Sequence, residues 1–225
     1  MRRVNRLAVL FLAVSIALLT IGWWRSQPAE VTPFAEETAL PTVVRPTAST
    51  PTAGPPKVAI APAPPVKIAI PELDFSLKVE SETLEEMAVA YNQTHPGSVD
   101  QAIYATDYYK AAWPSNYGSM PGMSSTNTTY LTCHSSAIRE LPCDVLAPKG
   151  AVKPGYHLVT TTKNGEVVYE ITELKLIKKA DFATSKEARL VRPGGVLLSV
   201  CMLQGDRRTE YSWLIIGQAV EESKR

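Results

Sequence analysis

The residue types best suited to chemistry in this sequence are three cysteines and a histidine that directly follows one of them. Cys201 ends the strand-like run VLLSVC, and Cys133 ends the run TTYLTC and is followed by His134. A thiol becomes a strong nucleophile only as the thiolate, and histidine is the commonest base that forms it near neutral pH. Cys201 and His134 could therefore form a catalytic pair, although a buried cysteine acting as a small apolar residue is the more common case.

The number and spacing of the cysteines limit the other sites that they could form. Three cysteines are too few for a disulfide framework, and they lack the C-x-x-C spacing of a zinc module. Because the number is odd, at least one thiol is free. The net charge of +1 gives no indication of a polyanionic partner such as a nucleic acid.

Runs of β-branched and aromatic residues predict a mainly β domain that begins near Lys67. Lys163-Asn164-Gly165 predicts one hairpin and Gln204-Gly205-Asp206 a second. Helical spacing of apolar residues is persuasive only over residues 82–91, behind a cap at Ser81 or Thr83. Many strands and few helices indicate a small barrel or sandwich in residues 67–225. The strand-like runs are residues 67–79, 128–133, 156–162, 167–177, 196–202 and 211–220.

The first 26 residues are predicted to anchor the chain in a membrane. Residues 7–24 contain no formal charge, and their length is at the lower end of what a spanning helix needs. Arg2, Arg3 and Arg6 precede them, which places the N-terminus in the cytoplasm and the rest of the chain outside. A cleaved signal peptide is the alternative, but the run ends in Ile21-Gly22-Trp23-Trp24 and not in small residues.

Residues 27–66 are predicted to be an extended linker. Their composition is dominated by Pro, Ala, Thr and Val, which favours polyproline geometry over a packed core. At about 3.1 Å per residue, such a segment could hold a domain as much as roughly 120 Å from the membrane.

In the order of its segments the chain resembles the sortase family over nearly its whole length. A basic N-terminus, an apolar helix and a Pro-rich stalk precede VKIAIPELDFSLKV, which is similar to the I-x-I-P start of the sortase domain. TTYLTCHSSAI is similar to the motif that carries the catalytic histidine of the family. VLLSVCMLQGDRRTEYSWLIIGQAV is similar to the strand, turn and terminal strand that carry its cysteine and arginine.

The resemblance implies an eight-stranded β-barrel with Cys201 and His134 at one of its open ends. Cys201 would cleave a Leu-Pro-x-Thr-Gly-like sorting signal of an exported protein and form a thioester. His134 would protonate the leaving amine and then activate an amine of a cell-wall precursor or of another protein subunit. The resemblance implies no metal or organic cofactor.

The sequence departs from the family where an arginine is expected on the last strand. Ser212 or Trp213 occupies that position, and the nearest candidates are Arg207 and Arg208 in the preceding turn. Arg208 is preferred because it has the same strand parity as Ser212; a solvated charge in the turn is the alternative. Without either arginine, backbone N–H groups alone would stabilise the oxyanion.

Two further departures concern the residues before the nucleophile and before the histidine. Val200 replaces the usual Thr, and Cys133 occupies a position where Gly is common. Export to an oxidising exterior favours a Cys133–Cys143 disulfide, which would leave Cys201 free, and two unpaired thiols are the alternative. A metal site formed by Cys133, His134 and Cys143 is disfavoured because adjacent ligands fit tetrahedral zinc poorly.

The same departures support a second function, in which the barrel has lost turnover and binds a sorting-type peptide or a surface partner. A hydrolase that resolves its thioester with water is a third. His95 and His157 are predicted to be structural. Tyr108, Tyr109 and Trp113 lie in a segment that either covers the open end of the barrel or packs in the core.

Overall fold

The computed structural model describes residues 59–96, 103–205 and 207–224, which form a closed eight-stranded barrel. Around the barrel the strands follow the order β1, β2, β3, β4, β7, β8, β6, β5, and β5 pairs with β1 to close it. The barrel predicted from the sequence is therefore confirmed. The strands are β1 (Pro65–Ile70), β2 (Phe75–Glu82), β3 (Ala111–Pro114), β4 (Thr129–Cys133), β5 (His157–Thr162), β6 (Gly165–Lys178), β7 (Gly195–Gln204) and β8 (Arg207–Lys224).

Two pairs of strands are parallel, and one of them positions the predicted catalytic residues. β2 pairs with β3, and β4 pairs with β7; the remaining neighbours are antiparallel. A parallel pair needs a long connection between its strands. Residues 134–194 make that connection from β4 to β7, with β5 and β6 among them.

Within the described residues, two α-helices lie outside the strands: α1 (Leu84–Thr94) and the single turn α2 (Lys186–Arg189). Thr83 caps α1 in a capping box: its hydroxyl accepts a hydrogen bond from the Glu86 N–H, and the Glu86 carboxylate accepts one from the Thr83 N–H. The helix predicted at residues 82–91 is present, but it starts at Leu84, two residues after the predicted start, since Glu82 is the last residue of β2. The described part of the chain also contains three 3₁₀ turns: Pro71–Leu73, Pro142–Leu146 and Lys179–Asp181.

Inward-pointing side chains of all eight strands fill the barrel. Alternation of buried and exposed residues along β2 gives that strand one core face, as period-2 geometry requires. Both predicted hairpins are present, with Gly165 and Gly205 at positive φ. The fully buried large side chains include Ile68, Leu131, Leu158, Tyr169, Leu198 and Ile215.

The structure corrects two predicted boundaries and adds one strand. Ile60 is only 4% exposed and its N–H donates to the Glu222 carboxylate, so the linker predicted to reach residue 66 ends earlier. β8 begins at Arg207, which places Arg207 and Arg208 on a strand and not in a turn. β3 was not predicted at all.

The predicted membrane anchor, and the linker up to residue 58, lie outside the described residues. No helix within the described ranges has the length and apolar character needed to cross a bilayer.

Candidate active site

His134 directly follows β4, and Cys201 lies beside it on the neighbouring strand β7. In the parallel pairing of β4 with β7, Cys133 is opposite Val200. The next residue is His134 after Cys133 and Cys201 after Val200. Cys133 and Val200 point into the barrel core, and alternation therefore directs the two following side chains to the other face. The Ser135 hydroxyl donates to the Cys201 carbonyl at 2.6 Å, which ties the segment after β4 to β7.

A cavity of about 450 Å³ contains all three residues predicted as catalytic. Cys201, His134 and Arg208 line it together. The strands β4, β7 and β8 form its floor, and the segment before β3 forms one wall. Its other lining residues are Tyr91, Thr94, His95, Ile103, Tyr104, Tyr108, Thr132, Cys133, Ser135, Lys179, Ser199, Thr209, Glu210 and Ser212.

Arg208 reaches this cavity because of the register between β7 and β8. Cys201 is opposite Ser212, and Leu203 is opposite Arg208, with a bulge between the two pairs. The Arg208 guanidinium is exposed and lies close enough to His134 to help lower the pKa of that imidazole. Arg207 does not line the cavity, so of the two candidate arginines the position of Arg208 is the one suited to contact a substrate.

His134 is a buried imidazole between two tyrosines, and only 8% of it is exposed. The ring centroids of Tyr104 and Tyr108 lie 4.4 and 4.5 Å from its own. Its Nε2 lies 2.7 Å from the Ala105 carbonyl oxygen, which can only accept a hydrogen bond. Nε2 therefore carries a proton, and Nδ1 is the nitrogen that can exchange one.

The environment of His134 favours the neutral imidazole. Burial lowers its pKa below 6.5, and electrostatic interactions with Arg208 and His95 act in the same direction. The hydrogen bond to Ala105 and the charge of Asp107 oppose this shift. Burial also raises the pKa of Tyr104 to about 12, so its hydroxyl stays protonated.

An aromatic wall, formed by Tyr91, His95, Tyr104 and Tyr108, encloses the His134 side of the cavity. His95 stacks on Tyr91 with ring centroids 4.5 Å apart, and Tyr104 packs edge-on against both. The Tyr104 and Tyr108 hydroxyls are 3.0 Å apart. Of the segment predicted either to cover the open end of the barrel or to pack in the core, Tyr108 lines this cavity.

Three other predicted residues lie away from the cavity. Trp113 is buried in the core and Tyr109 is exposed on the surface. His157 forms a surface hydrogen bond between its Nδ1 and the Glu72 carboxylate at 2.7 Å, in line with its predicted structural role. His95, also predicted to be structural, instead lines the cavity. Its loop sequence carried no signal of this, because α1 places it there only after folding.

The cysteines divide between one disulfide and one free thiol in the described residues. Cys133 and Cys143 are bonded to each other, and Cys201 is free and partly exposed. The disulfide sulfurs cannot act as thiolate ligands, which rules out the Cys133–His134–Cys143 metal site considered from the sequence. Over the described ranges, no other group of three or more His, Cys, Asp or Glu side chains is arranged to hold a metal ion.

Compared by sequence, the chain matches no protein-family profile and no curated protein. Compared by structure, it is similar to sortase C-1 from Actinomyces oris, with 19% identity, a TM-score of 0.47 and coverage of 68% of this chain and 72% of that one. It is similar to sortase A from Listeria monocytogenes at 18% identity and TM-score 0.47, covering 72% of this chain and 90% of that one. It is also similar to sortase A from Corynebacterium diphtheriae, with 14% identity, a TM-score of 0.49 and coverage of 72% of this chain and 63% of that one. The function is therefore inferred from the cavity and not from these likenesses.

Proposed function

We propose that this protein is a cysteine transpeptidase of the sortase type, which cleaves a sorting-signal peptide bond and transfers the acyl group to an amine. One observation carries the proposal: the free thiol of Cys201 and the imidazole of His134 occupy adjacent positions on parallel strands and open into one cavity with Arg208. A cysteine with a neighbouring base is the minimal set for thioester chemistry.

The reaction consists of two acyl transfers. The Cys201 thiolate attacks the scissile carbonyl carbon, the C–N bond breaks, and the leaving amine takes a proton from His134. Because Nε2 is bonded to Ala105, Nδ1 makes this proton transfer. An acceptor amine then attacks the thioester and gives its proton to His134, and the C–S bond breaks to release Cys201.

Arg208 is the group proposed to stabilise the charge that develops on the substrate. It has no ion-pair partner within the described residues, so its guanidinium is available to a carbonyl oxygen or an oxyanion. Preorganised donors of this kind act where negative charge appears in the transition state.

The location and partners proposed for the protein follow from the sequence. Residues 1–26 would anchor it in the cell membrane with the N-terminus inside, and the 27–58 segment would hold the barrel outside. The substrates would then be exported proteins with a sorting signal and amines of the cell wall or of pilin-like subunits. The proposed reaction draws only on the side chains of this chain.

The test is to incubate the full chain with Leu-Pro-x-Thr-Gly peptides and triglycine, and to look for a thioester by mass spectrometry. We expect an acyl adduct on Cys201 that triglycine or hydroxylamine removes, and no adduct for Cys201→Ala. His134→Ala should slow adduct formation by about 10²-fold or more. If a panel of sorting peptides binds to the protein but none forms an adduct, the proposed transpeptidase activity is refuted.

Peptide binding without turnover is the second candidate, and the burial of His134 beneath Tyr104 and Tyr108 favours it. An imidazole that stays covered could not protonate a leaving amine. The same peptides distinguish the two functions, because a binding module would give saturable binding that Cys201→Ala leaves unchanged.

A further inference from the structure

The peptide group between Ala105 and Thr106 is hydrogen-bonded at both of its ends. Its carbonyl oxygen accepts from His134 Nε2 at 2.7 Å. Its N–H donates to the Glu82 carboxylate, with the Thr106 nitrogen 3.1 Å from one oxygen and 3.3 Å from the other. A carboxylate and an imidazole are thus joined through a single peptide unit.

The position of Glu82 is unusual for a carboxylate, because this residue ends β2 and is only 6% exposed. The described part of the chain contains no ion pair to it; the nearby Lys110 binds Glu80 and Asp107 instead. From the residues that the structure describes, its side chain accepts hydrogen bonds from the Thr106 backbone and from the Thr106 hydroxyl at 2.9 Å. Buried carboxylates without a cation are costly, so this one is expected to have a specific use.

The backbone around Glu82 is held firmly enough to fix its side chain. The Glu82 carbonyl accepts from the Ser115 N–H at 2.7 Å and from the Ser115 hydroxyl at 3.1 Å. β2 also pairs in parallel with β3 up to Glu82 and Pro114. The carboxylate therefore has a rigid base from which to position the segment that carries Ala105.

The orientation of the shared peptide group gives this arrangement an electrostatic effect. The positive end of the peptide dipole, at the Thr106 N–H, faces the carboxylate, and the negative end, at the Ala105 oxygen, faces His134. Hydrogen bonds in a chain polarise one another, so an ionised Glu82 makes the Ala105 oxygen a stronger acceptor. A stronger acceptor holds the Nε2 proton more tightly and stabilises the imidazolium.

We propose that Glu82 acts on His134 through the Ala105–Thr106 peptide group and is the positioning residue of the Cys201–His134 pair. Its role in catalysis rests on the proposed function, whereas its effect on the imidazole does not. This relay, from the Glu82 carboxylate through the Ala105–Thr106 peptide group to His134, fixes the proton on Nε2 and leaves Nδ1 to exchange protons. It also supports the protonated imidazole that must give a proton to the leaving amine.

This support acts against several groups that disfavour the imidazolium. Burial, Arg208 on β8 and His95 after α1 lower the pKa of His134, and Asp107 raises it. Burial raises the pKa of Glu82 itself, with smaller contributions in the same direction from Glu80 and Glu86. The other titratable groups that line the cavity near His134 are Tyr91, Tyr104, Tyr108, Lys179, Cys201 and Glu210.

The test is an NMR titration of histidine-labelled full chain, purified in detergent, in the wild type and in Glu82→Gln. The glutamine keeps an oxygen that can accept from Thr106 but removes the charge. We expect the pKa of His134 to fall by about one pH unit, the effect of a unit charge over roughly 8 Å at an effective dielectric constant of about 20–40. Glu80→Gln is the matched control, since it removes the same charge two residues earlier, and should change the His134 pKa by less than about 0.3.

Two more measurements keep the proposal testable if Glu82→Gln does not fold. In the wild type, the Thr106 amide proton and the Ala105 carbonyl carbon should titrate together with His134. In Thr106→Val, which keeps the N–H donor and loses the hydroxyl, the His134 pKa should stay within about 0.3 of the wild type. A His134 pKa that is equal in the wild type and Glu82→Gln, or a Thr106 amide that ignores the titration, would overturn the relay.

The titration needs no substrate, which separates this inference from the proposed function. A lowered His134 pKa in Glu82→Gln with no peptide cleavage by the wild type would support the relay and refute the enzyme. If the wild type is active, Glu82→Gln should also move the His134 limb of the pH–rate profile in the direction of the NMR shift.

Discussion

Removal of the Cys133–Cys143 bridge should cost stability and leave the chemistry largely intact. The bridge closes a loop between residues ten apart in sequence, and both cysteines are buried, at 3% and 0% exposure. Loop-closure entropy for a ring of this size gives about 3 kcal/mol at 25 °C. Each sulfur lost from the core adds about 1 kcal/mol, so Cys133→Ala and Cys143→Ala should each cost about 4 kcal/mol and the double variant about 5.

Urea unfolding in a Cys201→Ala background measures this without thiol exchange. The sum of the two single effects minus the double effect isolates the bridge, because the bridge is lost in all three variants. We expect a difference of about 3 kcal/mol. A difference below about 1 kcal/mol would refute the loop-entropy reasoning and indicate that other contacts already order the loop in the unfolded chain.

The loop that carries His134 has other contacts, which explains why activity should survive. The Asp144 carboxylate accepts from the N–H groups of Ser136 at 2.7 Å and Leu141 at 2.8 Å, and Ser135 bonds to Cys201. With Cys201 restored, thioester formation by the folded double variant should stay within about tenfold of the wild type, which is about 1.4 kcal/mol in the barrier. A larger loss at full folding would mean that the bridge positions His134.

Two further predictions concern Arg208 and the pH dependence of folding. Arg208→Ala should lower the rate of thioester formation by about 10²-fold, whereas Arg207→Ala should change it by less than about threefold, as stopped-assay mass spectrometry would measure. An equal effect of both would mean that only net charge matters. Because the folded pKa of His134 lies below 6.5, its contribution to stability is present above pH 6.5 and is lost as the pH falls through the folded value. Urea unfolding at a series of pH values should show this loss in the wild type, and His134→Gln should lack it. If the free energy of unfolding depends on pH equally in both proteins, other groups cause the acid sensitivity.

The hairpins and the strand that carries Cys201 could be predicted because their signals are local. Gly165 and Gly205 supply the positive φ that tight turns need, and alternation marks the strands between them. β3 had no such signal, since all four of its residues are buried and the last is Pro114. A buried run of four residues has no alternation to detect.

The pairing of His134 with Cys201 is a non-local property: the residue types offered it as one option, and the resemblance to a family selected it. About sixty residues separate β4 from β7, and no local pattern tells which strands pair across such a distance. Glu82 was equally hidden, because its partner is a backbone N–H, and every residue except proline has one. Sequence reasoning identifies side chains suited to chemistry far better than the peptide groups that position them.

The parallel pairing of β4 with β7 is what makes a site possible at this end of the barrel. In an antiparallel pair the end of one strand meets the start of the other, whereas in a parallel pair both chains leave the sheet at the same edge. His134 begins the segment after β4, and Cys201 is its neighbour on β7. The bulge of β7 against β8 follows immediately after Cys201, and bulges bend a strand and redirect its side chains. The thiol therefore lies beside an irregularity of the sheet, between the core strand β4 and an arginine whose position depends on that irregularity.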